Sequence, residues 1–279
     1  TPWAHDTSWA MDPDIAYDAT ADDYLACCVH GIVDVKPTAV AIARYSGSST
    51  PFGAGWQIMT DTVDADYPKI VAGRELPTPQ GPKREFWITY HKYDGGMFYK
   101  YSADGGATWS GGEILVENGT TSVAGGFGHL AVGPDGALYV TQNGGFQWHR
   151  RPLPDGTMGL FPGEQPEDYT GGAIQRVTLA GEASTLYTEC NGIPLKGPND
   201  LVFDREGNFY FTDLGKNRPR EKDRTGVYYA SPDGKFIREI IFPMEGPNGI
   251  GLSPDEKTLY VAETPTGRVW AYDIQAPGQ

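Results

Sequence analysis

The chain has 279 residues, 39% of them hydrophobic and 21% charged, which excludes global disorder and suffices for one extensive all-β domain whose folding needs neither disulfides nor metals. A net charge of −14 gives an acidic surface that repels phosphate backbones, so nucleic acid is set aside as a partner. Three cysteines (Cys27, Cys28, Cys190) without CxxC spacing exclude a disulfide framework and a zinc site, and no run of 18 apolar residues marks a membrane span.

In chain order the sequence repeats one pattern: a turn, an apolar strand, a polar turn, a second strand. Asp12-Pro13-Asp14-Ile15-Ala16-Tyr17 leads into Tyr24–Val29. Asp66-Tyr67-Pro68-Lys69-Ile70-Val71 leads into Phe86–Tyr90. Gly128-His129-Leu130-Ala131-Val132 is followed by Pro134-Asp135-Gly136 and Leu138-Tyr139-Val140. Pro198-Asn199-Asp200-Leu201-Val202-Phe203 leads to Phe209-Tyr210-Phe211, and Pro247-Asn248-Gly249-Ile250-Gly251-Leu252 to Leu259-Tyr260-Val261. Aligned on Ile15, Ile70, Leu130, Leu201 and Ile250, the units are 55, 60, 71 and 49 residues apart. Each interval holds one propeller blade, at about 40–50 residues, plus loop insertions. The longest insertion, between Asn143 and Gly172, is rich in Pro, Gly and charge and reads as a loop over one face.

Further strands complete each unit: Met97–Ser102 with Glu113–Val116, and Val227–Ala230 with Phe236–Ile241 across the Pro-Asp-Gly turn at 232–234. Helical periodicity is weak throughout. The last unit shows three strands up to Ile274. The expectation is therefore a single all-β propeller domain, residues 1–279, of about five four-stranded blades, with six possible. Its ring would be closed by the N-terminal segment Pro2–Ala10, because a propeller left open exposes sheet edges. A monomer is expected, with a strand-swapped assembly as the alternative. The first residues carry no leader pattern, so cytoplasmic and secreted locations both stay open.

Two resemblances divide the chain. Ser102-Ala-Asp104-Gly-Gly106-Ala-Thr-Trp109 is similar to the Asp-box of BNR, sialidase-like blades. In that motif the Asp accepts backbone hydrogen bonds, Gly supplies an unusual backbone angle and Trp packs under the turn. Residues 1–117 are read as BNR-like on this basis. Residues 124–274, within the half 118–279, resemble the SMP-30/gluconolactonase/luciferin-regenerating family, through Gly197-Pro198-Asn199-Asp200-Leu201, Phe211-Thr212-Asp213, Gly246-Pro247-Asn248-Gly249-Ile250 and Ser253-Pro254-Asp255-Glu256. The joint at residues 117–124 makes the chain a hybrid, natural or engineered. The second resemblance implies a six-bladed propeller with calcium in its channel that hydrolyses lactones or related esters. It also implies a glutamate early in the first blade and an aspartate in a blade beyond the last one here, and this sequence matches neither.

The residues that begin the innermost strands converge on a propeller's axis: Asp14, Lys69, His129, Asn199, Asp200 and Asn248. The resemblance makes Asn199 and Asn248 candidate calcium ligands, with Asp14 replacing a missing carboxylate, since calcium takes six to eight hard oxygens. Asp14 and Asp200 are the candidate bases for water attack on a lactone carbonyl. His129 and Asn143 are candidates for substrate contact, although a lone His is commonly structural and Asn commonly serves turns. Asp213 and Glu263 either line the same face or cap turns. The competing readings are a small-molecule lactonase, a non-catalytic scaffold or binding propeller, and, last, a sialidase-like glycosidase. The last would need arginines clustered at strand starts, and Arg44, Arg74 and Arg84 do not sit there.

Overall fold

The computed structural model describes residues 10–18, 21, 23–33, 36–46, 56–59, 65–92, 97–111, 113–116, 129–152, 154, 158–178 and 182–279. The described residues up to Val116 form one compact unit, and those from His129 a second. The expected ring-closing segment 1–9 and the joint at residues 117–124 lie outside the described residues.

In the first unit, β1 (Ala10–Asp18), β2 (Asp23–Val33), β3 (Lys36–Ser46) and β4 (Gln57–Met59) form one antiparallel sheet in chain order. β5 (Ala65–Leu76), β6 (Lys83–Lys92), β7 (Met97–Ser102) and β8 (Glu113–Val116) form the next. These are blades 1 and 2. Strand alternation sorts their side chains: Leu25 and Cys27 pack with Val40 and Ile42 against Ile70, Phe86, Ile88 and Tyr90 of blade 2, while Ala26 joins Ala43 and Tyr45 in a separate cluster. All three cysteines are buried free thiols, and burial pushes the Cys27 and Cys28 thiols up.

The second unit holds three blades. β9 (Leu130–Val132) and β10 (Leu138–Gln142) are joined through an inserted hairpin, β11 (Trp148–Pro152) with β12 (Met158–Pro162), to β13 (Ala173–Val177) and β14 (Ala183–Tyr187). A short pair, β15 (Glu189–Cys190) with β16 (Ile193–Pro194), leads into blade 4. That blade is β17 (Pro198–Phe203), β18 (Phe209–Asp213), β21 (Thr225–Ala230) and β22 (Ile237–Met244), with the small hairpin β19 (Asn217–Arg218) and β20 (Glu221–Lys222) inserted. Blade 5 has three strands, β23 (Pro247–Leu252), β24 (Thr258–Glu263) and β25 (Arg268–Asp273). The five blade-type sheets among the described residues are those the repeat predicted. The 143–172 insertion differs from its expectation as a plain loop, because part of it pairs as a hairpin.

The middle strands β10, β18 and β21 are buried along their whole length, with apolar residues over most of it and buried polar residues (Thr141, Gln142, Thr212, Asp213, Thr225) at one end. They are sandwiched between neighbouring sheets, so both faces need a partner. Phe209 and Phe211 point toward Tyr139 and Ile174 of blade 3, and Tyr210 between them points toward Leu259 and Val261 of blade 5. The turn after the first strand needs a left-handed residue, supplied by Gly136 (φ 75°) in blade 3 and Gly207 (φ 85°) in blade 4. Blade 5 makes it with Glu256 at φ 57°, where Glu256 also pairs with Arg205.

Candidate functional site

Because the strands are antiparallel, each first strand begins at the end where the second strand finishes. The pairs Pro198–Asp213 and Pro247–Glu263 show this register. His129, Asn199, Asp200 and Asn248 therefore lie at one end of blades 3 to 5, with the loops that follow β10, β18 and β24.

Adjacent first strands are stitched together there by two buried threonines at the same position of successive second strands. Thr141 Oγ1 accepts the His129 N–H at 2.8 Å and donates to the Asn199 carbonyl at 2.6 Å. Thr212 Oγ1 accepts the Asp200 N–H at 3.2 Å and donates to the Asn248 carbonyl. Each hydroxyl uses both its donor and its acceptor. Blade 5 has Ala262 at this position, packed near Gly249.

The stitching brings the predicted side chains together. Nδ2 of Asn199 donates to Oδ1 of Asn248 at 2.6 Å. Nδ1 of His129 lies 2.6 Å from Oδ1 of Asp200. The His129 side chain is 34% exposed and that of Asp200 is 16% exposed, so the pair borders solvent. Asp200 is otherwise committed to backbone: Oδ1 accepts the Leu201 N–H at 2.8 Å and Oδ2 the Ile250 N–H at 2.9 Å.

Asp14 belongs to the first unit and does there what Asp200 does in the second. Its Oδ2 accepts the N–H of Ile70, the residue equivalent to Ile250, at 2.8 Å. Asn143 is fully buried, and its Oδ1 accepts the Gly145 N–H at 2.8 Å, which shapes the turn leaving β10. Asp213 is buried and accepts the N–H groups of Lys196, Gly197 and Gly215 at 2.7, 2.7 and 2.9 Å. Burial raises its carboxyl pKa despite those three bonds and the nearby Lys216. Glu263 accepts the Glu245 N–H at 2.8 Å and the hydroxyl of Thr266 at 2.6 Å. These two acids hold the loops entering β17 and β23.

In the turn at residues 102–109, Asp104 accepts the N–H groups of Ala107 and Thr108 at 3.1 and 2.9 Å and the Thr108 hydroxyl at 2.6 Å. Ser102 Oγ donates to Asp104 Oδ1 at 2.8 Å and accepts the Gly106 N–H at 2.8 Å. Trp109 Nε1 donates to the Gly106 carbonyl at 3.2 Å. Gly105 and Gly106 have φ of 78° and 81°. Of the three arginines a glycosidase reading would need, Arg74 pairs with buried Glu85, Arg44 donates to the Gly105 carbonyl and Arg84 to that of Gly73.

The two threonines were not foreseen. Their signal was available, because the repeat alignment puts Thr141 and Thr212 at one position. As metal donors the site offers two amide oxygens and one carboxylate already bonded through both oxygens. Among the described residues no three His, Cys, Asp or Glu side chains converge as a metal site. Calcium needs six to eight oxygens, so these residues alone do not make a calcium shell. Among the described residues no helix is long and apolar enough to cross a membrane.

Comparison with known proteins gives the lineage. The chain is 32% identical over 149 residues to the lactonase drp35 of Staphylococcus aureus, covering 53% of this chain and 38% of that protein. It is 27% identical over 158 residues to the gluconolactonase of Zymomonas mobilis, covering 53% and 37%. It thus spans less than two fifths of the length of these curated relatives. Among solved structures, the aldose sugar dehydrogenase of Streptomyces coelicolor superposes with a TM-score of 0.57 at 13% identity over 97% of this chain and 79% of that one, a likeness of β fold alone. The model of the SMP-30/gluconolactonase/LRE-like region matches residues 95–279, so it takes in the turn at residues 102–109 as well as blades 3 to 5. With about two thirds of its length inside that match, the chain belongs to the SMP-30/gluconolactonase/LRE-like family.

Proposed function

We propose that this chain is a lactonase-type hydrolase domain that opens small cyclic esters at the end of blades 3 to 5. The observation that carries the reading is the convergence of the Asn199–Asn248 amide pair with the His129–Asp200 pair on adjacent first strands. Family membership supplies the substrate class. Asn248 accepts through its oxygen, which leaves its Nδ2 to donate to a substrate oxygen. Asp200, anchored by two backbone N–H groups, orients the His129 ring, so His129 Nε2 is the proton acceptor in this reading, with Asp200 as orienter.

The step balances simply. Water loses a proton to His129 as its oxygen bonds to the lactone carbonyl carbon, and negative charge on the carbonyl oxygen is met by amide N–H groups. The ring C–O bond then breaks, and the proton passes to the leaving alkoxide, giving a hydroxy acid. Calcium would add amide-anchored Lewis acidity, with the Asn199 and Asn248 oxygens as the groups to face it. The described residues do not complete its shell, so no step here runs through a metal. Asp14, bonded to Ile70, takes a structural role in this proposal.

The test is lactone opening followed by acid release, with Asn199→Ala, Asn248→Ala and His129→Gln alongside wild type. Unchanged rates in all three folded variants would sink the reading. In the second reading, a binding module without chemistry, lactones or hydroxy acids bind saturably and are not turned over.

A further inference from the structure

Lys216 follows β18 by three residues and is 1% exposed. Among the described residues no carboxylate bonds its ammonium group. Nζ donates to the Gly145 carbonyl at 2.5 Å, 71 positions away, and sits 4.1 Å from the centre of the Phe146 ring and 5.3 Å from that of Tyr169. Gly145 and Phe146 lie where the chain leaves β10, and Tyr169 lies where it returns toward β13. One buried amine therefore ties both limbs of the insertion to the loop after β18.

One limb leads to the buried Asn143 and the other to the strand start at Asn199. Gly145, which accepts from Lys216, donates its own N–H to Asn143. Tyr169 donates its hydroxyl to the Lys196 carbonyl at 2.5 Å, three residues before Asn199, and Gly172 donates its N–H to the Leu195 carbonyl at 3.0 Å. Gly172 also packs so closely that a Cβ would lie 2.3 Å from Pro198 Cδ.

We propose that Lys216 is a positioning residue: a proton-operated latch that holds segments 143–147 and 163–172, and through them Asn143 and the strand start at Asn199, in place. The effect on Asn143 and Asn199 rests on the lactone-site reading; the latch itself does not.

The direction of its response follows from burial. An amine in a site of aromatic rings and one carbonyl keeps its charge at a cost. Burial pulls Lys216 down from 10.5 to about 7, with Asp213 and Asp223 acting the other way. Released into water, the amine regains its ordinary value. Opening therefore takes up a proton between pH 7 and 10.5, so falling pH in that window favours opening, by up to tenfold per unit. Below about pH 7 both states are protonated and the dependence ends.

Other titratable groups also face the latch. Burial and the charges of Asp213 and Asp223 push the Tyr169 hydroxyl up. Asp223 is held low, its hydrogen bonds with Arg218 and Lys216 N–H and the nearby Lys196 charge outweighing burial. Arg218 stays charged. Burial raises the carboxyl of Asp213, against the N–H groups of Lys196, Gly215 and Gly197 and the charge of Lys216. His149 and Glu164 lie 2.7 Å apart beside the same limbs, and the hydrogen bond with His149 holds the Glu164 carboxyl low.

Hydrogen exchange of the whole protein between pH 7.5 and 9.5, corrected for the intrinsic pH dependence of amide exchange, tests the latch. In wild type the opening constant of peptides 143–152 and 163–172 rises up to tenfold per unit as pH falls, while peptides in β23 to β25 show no such slope. Lys216→Met and Lys216→Arg lose the slope, the first because it has no proton to bind and the second because it never loses one. A flat wild-type profile overturns the latch even if neither variant folds, and so does an undiminished slope in Lys216→Met. On a lactone substrate, Lys216→Met raises KM more than it lowers kcat. Absence of turnover in every form refutes the lactone reading and leaves the exchange result standing.

Discussion

Replacing Thr212 with Val isolates the stitching that builds the site. The two side chains have nearly the same shape, so no cavity opens, and what is lost is one hydroxyl at a fully buried position. That hydroxyl accepts the Asp200 N–H and donates to the Asn248 carbonyl. Each bond contributes about 1 kcal/mol net, and stranding a buried partner adds about 1–2 kcal/mol, so the second unit should lose about 2–4 kcal/mol. Urea unfolding followed by tyrosine and tryptophan fluorescence measures this, with the slope m unchanged and the midpoint lowered. Thr212→Ser keeps the hydroxyl and should recover most of the loss. If Thr212→Val stays within about 0.5 kcal/mol of wild type, the hydroxyl does not hold the adjacent strand starts, and the account of how Asn248 is placed fails.

Other outcomes follow from the same geometry. Asp14→Ala and Asp200→Ala should each destabilise by about 1–3 kcal/mol, because each strands the N–H of the next blade's Ile70 or Ile250; chemical denaturation of both variants checks the parallel. Gly226→Ala should be severe, more than about 2 kcal/mol, since its Cβ would lie 1.9 Å from the Ile241 carbonyl oxygen; expression yield and thermal melting show it. Burial raises the Asp104 carboxyl, but hydrogen bonds from the Thr108 hydroxyl and N–H, Ser102 and Ala107 hold it below its ordinary 3.8. Its stabilising contribution is therefore present above pH 3.8 and lost as pH falls through the folded value, so acid melts of Asp104→Asn should fall less steeply below pH 4 than those of wild type. Calorimetric titration of metal-stripped protein with calcium should give no saturable heat and no rise in melting temperature on the described donor set. Saturable binding would mean that residues outside the described segments complete the shell.

The fold was legible because repeats advertise themselves. β7 and β8 begin and end where the alternation of apolar residues and the turn chemistry placed them, and the three strands of blade 5 follow the Pro-Asn-Gly start. The 148–162 hairpin was illegible for a local reason: β11 reads Trp-His-Arg-Arg-Pro, with none of the apolar alternation that marks a half-buried strand. At the site, Asn199, Asp200, Asn248 and His129 could be named because they share one register position or its neighbour. Their partners could not. Asp200 and Asp14 read as candidate bases because carboxylates at a channel mouth invite that role, and only the cross-blade N–H bonds reveal their backbone duty. Lys216 has no local signal at all, since its burial is created by Phe146 and Tyr169 from a distant insertion.

In the function proposed above, the amide pair and the His129–Asp200 pair open a lactone ring. The most direct measurement is pH-stat titration of acid release from a panel of five- and six-membered sugar lactones, comparing wild type with Asn248→Ala at matched, verified folding. Turnover well above spontaneous hydrolysis is expected for at least one lactone, with a loss of about a hundredfold in kcat when the Asn248 donor is removed. Hydrolysis at the buffer rate with every lactone, or equal turnover by wild type and Asn248→Ala, would contradict it.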